Sequence, residues 1–189
     1  MKRRQSGVRL WRMVRISVVV PAHNEEEVLP ACLAALRSQS ISEFELIVVD
    51  SASTDRTGEV ARAHGAQVVR VERPGLARAR QAGFEAASGE IVATTDADSQ
   101  PPPDWLARLG AALADPEVGG FKRGEAFYGD DETDIRLAFK LRRVGKVVFL
   151  PDLLVTTSMR KLSGPHGLRY LFHHIRNYFR LCWLSYGKV

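Results

Sequence analysis

Two cysteines in 189 residues, Cys32 and Cys182, stand far apart and form no C-x-x-C pair. That spacing argues against a disulfide framework or a zinc knuckle and fits a reducing compartment. No apolar run approaches the roughly 20 residues needed to cross a bilayer. The basic N-terminus is followed only by the short apolar stretch Ile16 to Val20, ended by Pro21, which is too brief for the core of a secretory leader. The expected location is therefore cytoplasmic. The glycine fingerprint G-x-G-x-x-G is missing after the first strand-like run, which argues against a nicotinamide dehydrogenase. The phosphate loop G-x-x-x-x-G-K-[ST] is missing too, which argues against a P-loop ATPase. Acid is scarce at both ends: residues 1–15 have none, and residues 135–189 have only Asp152.

What is present is the composition of an ordinary globular protein, 45% hydrophobic and 26% charged, long enough for one sizeable core. The net charge of +5 conceals a segregation. Residues 1–15 carry six basic side chains, residues 16–134 a net −11, and residues 135–189 a net +10. An acidic body is flanked by two basic ends. Such ends suit phosphates or an anionic membrane surface, so the inner face of a membrane is a second expected location. No nucleic-acid partner is expected.

Short β-branched runs alternate with helical patterns. Ile16 to Val20 predicts a strand stopped by Pro21. Asn24 to Glu27 predicts a helix start, with Asn24 as its cap and acids at its positive end. Glu45 to Asp50 predicts a second strand ending in a carboxylate, Ala66 to Val71 a third, and Glu90 to Thr95 a fourth, buried one. Helices are expected over Thr57 to His64, Leu76 to Ala87, Asp104 to Ala114 and Asp131 to Val144. Val147 to Phe149 and Leu153 to Thr157 predict strands around Pro151. Leu168 to Leu184 has apolar residues at helical spacing, with Arg169, His173, Arg176 and Arg180 opposite, a pattern that suits a core helix or an interfacial one. His173 and His174, being adjacent, point in different directions and are taken as surface or interface residues. The alternation of strands and helices predicts an α/β fold with a mostly parallel central sheet flanked by helices.

Three strand ends then deliver polar groups to one edge: Pro21 to Glu25, Asp50, and Asp96-Ala97-Asp98. Ligands of open α/β sheets bind at the carboxyl ends of the strands. Two carboxylates one residue apart there are hard oxygen donors suited to Mg2+ or Mn2+, which take remaining ligands from water and substrate phosphates. A nucleotide site lacking both glycine-rich phosphate loops needs such a cation, helped by an arginine such as Arg80, to neutralise a diphosphate.

The ordered set Val19-Val20-Pro21-Ala22-His23-Asn24-Glu25-Glu26, D-S-A-S-T-D-R-T from Asp50, A-R-A-R-Q-A-G from Ala77 and D-A-D from Asp96 resembles the family 2 glycosyltransferases. Tyr128 to Ile135 is similar to that family's acidic E-D-T-D helix start, and Gly145-Lys146-Val147 and Thr157 to Lys161 also fit a bacterial branch. The resemblance covers about residues 15–180. It implies a Rossmann-like GT-A fold and inverting transfer of a single sugar from a UDP- or GDP-sugar to a hydroxyl acceptor, with Mg2+ or Mn2+. It further implies that Pro21, Ala22 and Glu25 line the nucleoside pocket, and that Asp50 binds the base. Arg80 would stand near base or diphosphate, Asp96 near ribose and metal, and Asp98 would be the direct metal ligand. The general base would come from the acidic cluster at residues 130–132. The expected layout is a basic tail over 1–14, a GT-A domain over 15–165 divided near residue 100, and a basic amphipathic helix over 166–189.

Three departures from the pattern stand out. The chain reads D-D-E-T-D, one residue longer than E-D-T-D, so the base is Asp131 if aligned from Gly129 and Glu132 if aligned from Thr133; Asp131 is favoured. The link from Asp98 to Asp130 is short for the family. Gln81 stands where Asn is common. The Q-x-x-R-W signature of processive synthases is absent, which fits single-sugar transfer. Two other classes are weighed: a non-catalytic nucleotide-sugar-binding scaffold, motivated by the short link, and a nucleotidylyltransferase, disfavoured because the loop after the first strand is acidic.

Overall fold

The structure, a computed structural model, describes residues 15–113 and 150–158. Strand β1 (Ile16–Ala22) leads to helix α1 (Leu29–Arg37), β2 (Phe44–Ser51), α2 (Thr57–Ala63), β3 (Gln67–Val71), α3 (Leu76–Ala86) and β4 (Ile91–Thr94). A short strand β5 (Ser99–Gln100) and helix α4 (Trp105–Leu113) follow, and β6 (Thr156–Thr157) completes the described elements. The four longer strands form a parallel sheet in the order β3-β2-β1-β4.

This order dictates the layering. The chain steps outward from β1 to β2 and β3, then reverses to place β4 on the other side of β1. Crossovers of constant right-handedness must then put α3 on the opposite face from α1 and α2. The core divides accordingly. Val18 and Val20 of β1 and Leu46 and Val48 of β2 pack with Leu29, Cys32, Leu33 and Leu36 of α1, Ala61 of α2 and Leu106 of α4. On the other face Val19, Ile47 and Val49 pack against Ala79 and its neighbours on α3. Both faces of β1 and β2 are therefore buried, which is why their centres, Val18 to Val20 and Leu46 to Val49, read as unbroken apolar runs. The reversal beside β1 is a topological switch point, and the crevice at the carboxyl ends of β1 and β4 is where such sheets bind ligands.

Several expectations are corrected. Pro21 does not stop β1, which runs through it to Ala22. Val19 turns its carbonyl toward the β4 side, where it accepts the Thr95 amide at 3.2 Å. Pro21 has the same parity, and pairing with β4 ends at Val19, so among the described residues its missing donor falls where no partner strand continues. Asn24 does not cap α1. It sits in the left-handed region at φ 53°, and the helix starts only at Leu29. The fourth strand is half-buried rather than buried, with Val92 40% exposed, because among the described residues it is an outer strand of the sheet. Of the predicted strand Leu153 to Thr157, only Thr156 and Thr157 form one, antiparallel to β5.

Other expectations are met within a residue or two. Helix α2 closes on Gly65 at φ 71°, a left-handed position that favours glycine. The proline run before α4 is anchored by Gln39, which donates to Pro102 O at 2.7 Å and accepts the Leu106 amide at 3.0 Å. Asp131, Glu132, the predicted helices at 131–144 and 168–184, the strand at 147–149 and, apart from Arg15 and residues 150–158, both basic ends lie outside the described residues.

Candidate active site

At the carboxyl edge of the sheet the loops after β1 and β2 are bonded to one another residue by residue. Asn24 accepts the Thr54 amide at 2.8 Å, while its own amide donates to Ser53 Oγ at 3.0 Å. The Glu25 amide donates to Thr57 Oγ1 at 2.8 Å, and the Glu26 amide to Asp55 Oδ2 at 3.1 Å. Glu26 Oε2 in return accepts the Arg56 amide and Nε at 3.0 and 3.1 Å. The sequence of residues 24–27 has the pattern of a local helix start. The polar atoms of residues 24–26 are instead spent across about 30 residues of chain, on the neighbouring loop.

Asp55 holds this clasp at its centre. Its Oδ1 accepts the Thr57 hydroxyl at 2.5 Å and the Thr57 amide at 3.0 Å. Burial alone would raise this carboxyl, but the hydrogen bonds from Thr57 and the Glu26 amide outweigh it and hold the group below its ordinary value. Asp55 is a staple at the start of α2.

Asp50, the next-to-last residue of β2, stands opposite Ala22 on one side and Arg70 on the other. It shares the face of Val48, toward α2, and is only 4% exposed. Its Oδ1 accepts the Ser53 amide at 2.9 Å and its Oδ2 pairs with Arg70 Nη1 at 2.6 Å. Arg70 also donates to Ser53 O at 3.3 Å, and its side chain remains 49% exposed. The residue expected to bind a base is thus built into the edge, and a half-exposed guanidinium stands beside it. Arg70 was not singled out from sequence. The one available signal was an arginine breaking the valine run at the end of a predicted strand. Of the other expected pocket residues, Pro21, Ala22 and Glu25 are all buried.

The Asp96-Ala97-Asp98 turn follows β4 directly. Asp96 is the more open member; its Oδ1 lies 3.2 Å from Arg80 Nη2 on α3, with side-chain exposures of 55% and 13% for the two partners. Its backbone carbonyl accepts the Ser99 amide at 3.1 Å and the Cys32 thiol, from α1, at 3.5 Å. The carbonyl of Asp98 accepts the Ser158 amide at 3.0 Å, and its Oδ1 accepts the Thr157 hydroxyl at 3.4 Å. The sequence-predicted group Arg80, Asp96 and Asp98 is therefore brought together, held from α1, α3 and β6.

This donor set fits a hard divalent cation. Asp96 and Asp98 supply carboxylate oxygens, and no cluster of three or more His, Cys, Asp or Glu side chains exists among the described residues. Two carboxylates suit an ion that fills its shell with water and phosphate oxygens, not a closed site. Cys32 lies beneath the turn, where its thiol donates to the Asp96 carbonyl. Burial, with the Asp98 and Asp96 carboxylates adding to it, pushes its thiol up to about 12, so it stays protonated.

A parallel sheet with a switch point beside a D-x-D turn is the layout of a GT-A nucleotide-sugar transferase. Comparison with known proteins makes the assignment specific: the Glycosyl transferase family 2 model matches residues 17–180, and the chain belongs to that family. An uncharacterised glycosyltransferase of Mycobacterium tuberculosis is 47% identical over 98 residues, 52% of this chain and 43% of the relative. The undecaprenyl-phosphate 4-deoxy-4-formamido-L-arabinose transferase of Pseudomonas paraeruginosa is 42% identical over 105 residues, 50% of this chain and 31% of its own. A mannosyltransferase from Pyrobaculum calidifontis, solved with GDP-mannose and Mn2+, superposes with a TM-score of 0.52 at 38% identity, covering 56% of this chain and 34% of that one. The matches span less than half the length of these relatives.

Proposed function

We propose that this protein transfers a single sugar, with inversion, from a UDP- or GDP-sugar to a hydroxyl acceptor. The observation that carries this is the Asp96-Ala97-Asp98 turn, clamped at the sheet's carboxyl edge next to Arg80. The Pyrobaculum enzyme's complex with GDP-mannose and Mn2+ supports the same donor chemistry here. Asp98, with Asp96, would hold Mg2+ or Mn2+. Bound there, the cation would absorb the charge that builds on the departing nucleoside diphosphate. Arg80 orients Asp96 and adds a fixed positive charge beside the same group. The nucleoside end is assigned to Pro21, Ala22 and Glu25, with Asp50 and the half-exposed Arg70 at the base. In the transfer the acceptor oxygen attacks the anomeric carbon as the bond to the diphosphate breaks, and its proton passes to a carboxylate, Asp131 or Glu132.

No helix among the described residues is long and apolar enough to cross a membrane. The basic ends at 1–15 and 135–189 support docking on an anionic membrane surface, as does a relative named for undecaprenyl phosphate.

Titration calorimetry of UDP- and GDP-sugars with and without Mn2+ tests the donor site. The parent should bind at least one donor in a metal-dependent way and Asp98→Ala should not. Absence of metal-dependent binding, with Asp98→Ala behaving like the parent, would refute the proposal. Release of UDP or GDP in the presence of acceptor separates an enzyme from a scaffold that only binds.

A further inference from the structure

The expected roles account for Asp96 and Asp98 but not for the segment that reaches Asp98 from 59 residues further along the chain. Strand β6 lies antiparallel on β5, pairing Ser99 with Thr157 and Gln100 with Thr156. This two-residue ladder begins where the D-x-D turn ends. Two further bonds tie it to the turn: the Ser158 amide donates to Asp98 O at 3.0 Å, and Thr157 Oγ1 stands 3.4 Å from Asp98 Oδ1. The same hydroxyl lies 3.2 Å from Ser99 Oγ, and Ser99 is buried.

A hydroxyl donates one hydrogen bond and accepts up to two. Asp98, as a carboxylate, can only accept, so Thr157 must donate to it. Ser99 then donates to Thr157. The proton directions are fixed along Ser99, Thr157 and Asp98, and the chain ends on one named oxygen of the carboxylate. Carboxylates that ligate metals are themselves oriented by hydrogen bonds, and losing such a bond costs affinity without touching a ligand.

We infer that Thr157 is a positioning residue for cation binding at Asp98, setting the carboxylate's rotamer through the Ser99–Thr157 hydroxyl pair. The inference rests on the assignment of Asp98 as a metal ligand. Thr157 is exposed, so its hydroxyl can be removed with little effect on packing.

The test measures Mn2+ affinity by electron paramagnetic resonance in the presence of saturating UDP, for the parent, Thr157→Val, Thr157→Ser and Asp98→Ala. Thr157→Val keeps shape and loses the donor; Mn2+ affinity should fall about ten- to hundredfold. Thr157→Ser restores the donor and should recover most of that loss, which a merely structural role would not predict. UDP binding without metal should be the same in the parent and both Thr157 variants. Thr157→Val equal to the parent, with Asp98→Ala impaired, overturns the role of Thr157 alone. Asp98→Ala equal to the parent overturns the metal assignment and this inference with it.

Discussion

Replacing Gly83 by alanine should destabilise the protein, although the same change usually strengthens a helix. Helix α3 presents Ala79 and Gly83, one turn apart, to the sheet, and both are buried. An ideal Cβ on Gly83 would overlap Val19 Cγ1 and stand 3.0 Å from Val49 Cγ2 and 3.2 Å from Val19 Cγ2. Carbon atoms rest at about 3.5–4.0 Å, so α3 must rise by roughly 1 Å. Both neighbours are valines on central strands, with stiff χ1 angles and little room to turn away. Overpacking of this kind costs about 1–3 kcal/mol, and the helix-propensity gain over glycine returns about 1 kcal/mol. With two rigid neighbours the net loss should be about 2 kcal/mol, or a Tm roughly 4–8 °C lower for a chain of this size. Gly110 on α4 is the control, because a Cβ there meets no described atom within 4 Å. Gly110→Ala should instead gain about 0.5–1 kcal/mol. Thermal and urea unfolding followed by circular dichroism would read both. Raising α3 also withdraws Arg80, three residues before Gly83, from Asp96, so Gly83→Ala should weaken UDP binding with Mn2+ while Gly110→Ala should not. If the two variants shift stability in the same direction, the close packing of α3 on β1 and β2 is wrong.

Two further outcomes are expected from the carboxylates at the edge. Arg70→Met strips the buried Asp50 of its charged partner and should cost about 2 kcal/mol, below the range for a fully buried pair because Arg70 is half-exposed. The double variant Asp50→Asn with Arg70→Met should lose less than the sum of the two single changes, as a double-mutant cycle by urea unfolding would measure. Asp55→Ala should cost about 1 kcal/mol near pH 7, the usual loss for a helix-start cap. The native Asp55 carboxyl is held below its ordinary value, so its contribution is present above the unfolded value of about 4 and is lost as the pH falls through the folded value. Parent and variant stabilities should therefore converge at low pH.

Local features of the chain foretold what local forces decide. The apolar runs at the centres of β1 and β2 follow from burial on both faces, and Gly65 marks the end of α2 because only its backbone turns left-handed cheaply there. Asp96 and Asp98 could be placed because a strand end fixes where they emerge. What could not be read were bonds made across the sheet. Asn24 has the sequence signature of a helix cap, yet its side chain serves Thr54 on the next loop, since the parallel register sets the two loop mouths side by side. Arg70 meets Asp50 only because β3 pairs with β2 at that residue. Pro21 reads as a stop until the neighbour's length is known: β4 pairs with β1 only as far as Val19, so the proline costs no ladder bond.

The same long-range bonds explain how a crevice made of loops can be preorganised. A loop held only by its own backbone orders when its ligand arrives, and that ordering is subtracted from affinity. Here the loop after β1 spends its amides at residues 24, 25 and 26 on side chains of the loop after β2 and of Thr57, the first residue of α2. The loop after β2 is fixed in turn by Asp50 through the Ser53 amide. The D-x-D turn is fixed by three other elements. The paired loops after β1 and β2 and the D-x-D turn after β4 are thus ordered by different contacts. Among the described residues, the D-x-D turn is tied to residues that follow α4 through Ser158 and Thr157. Under the proposed assignment, changes at Thr157 and Ser158 should therefore reach the donor through the Asp96-Ala97-Asp98 turn.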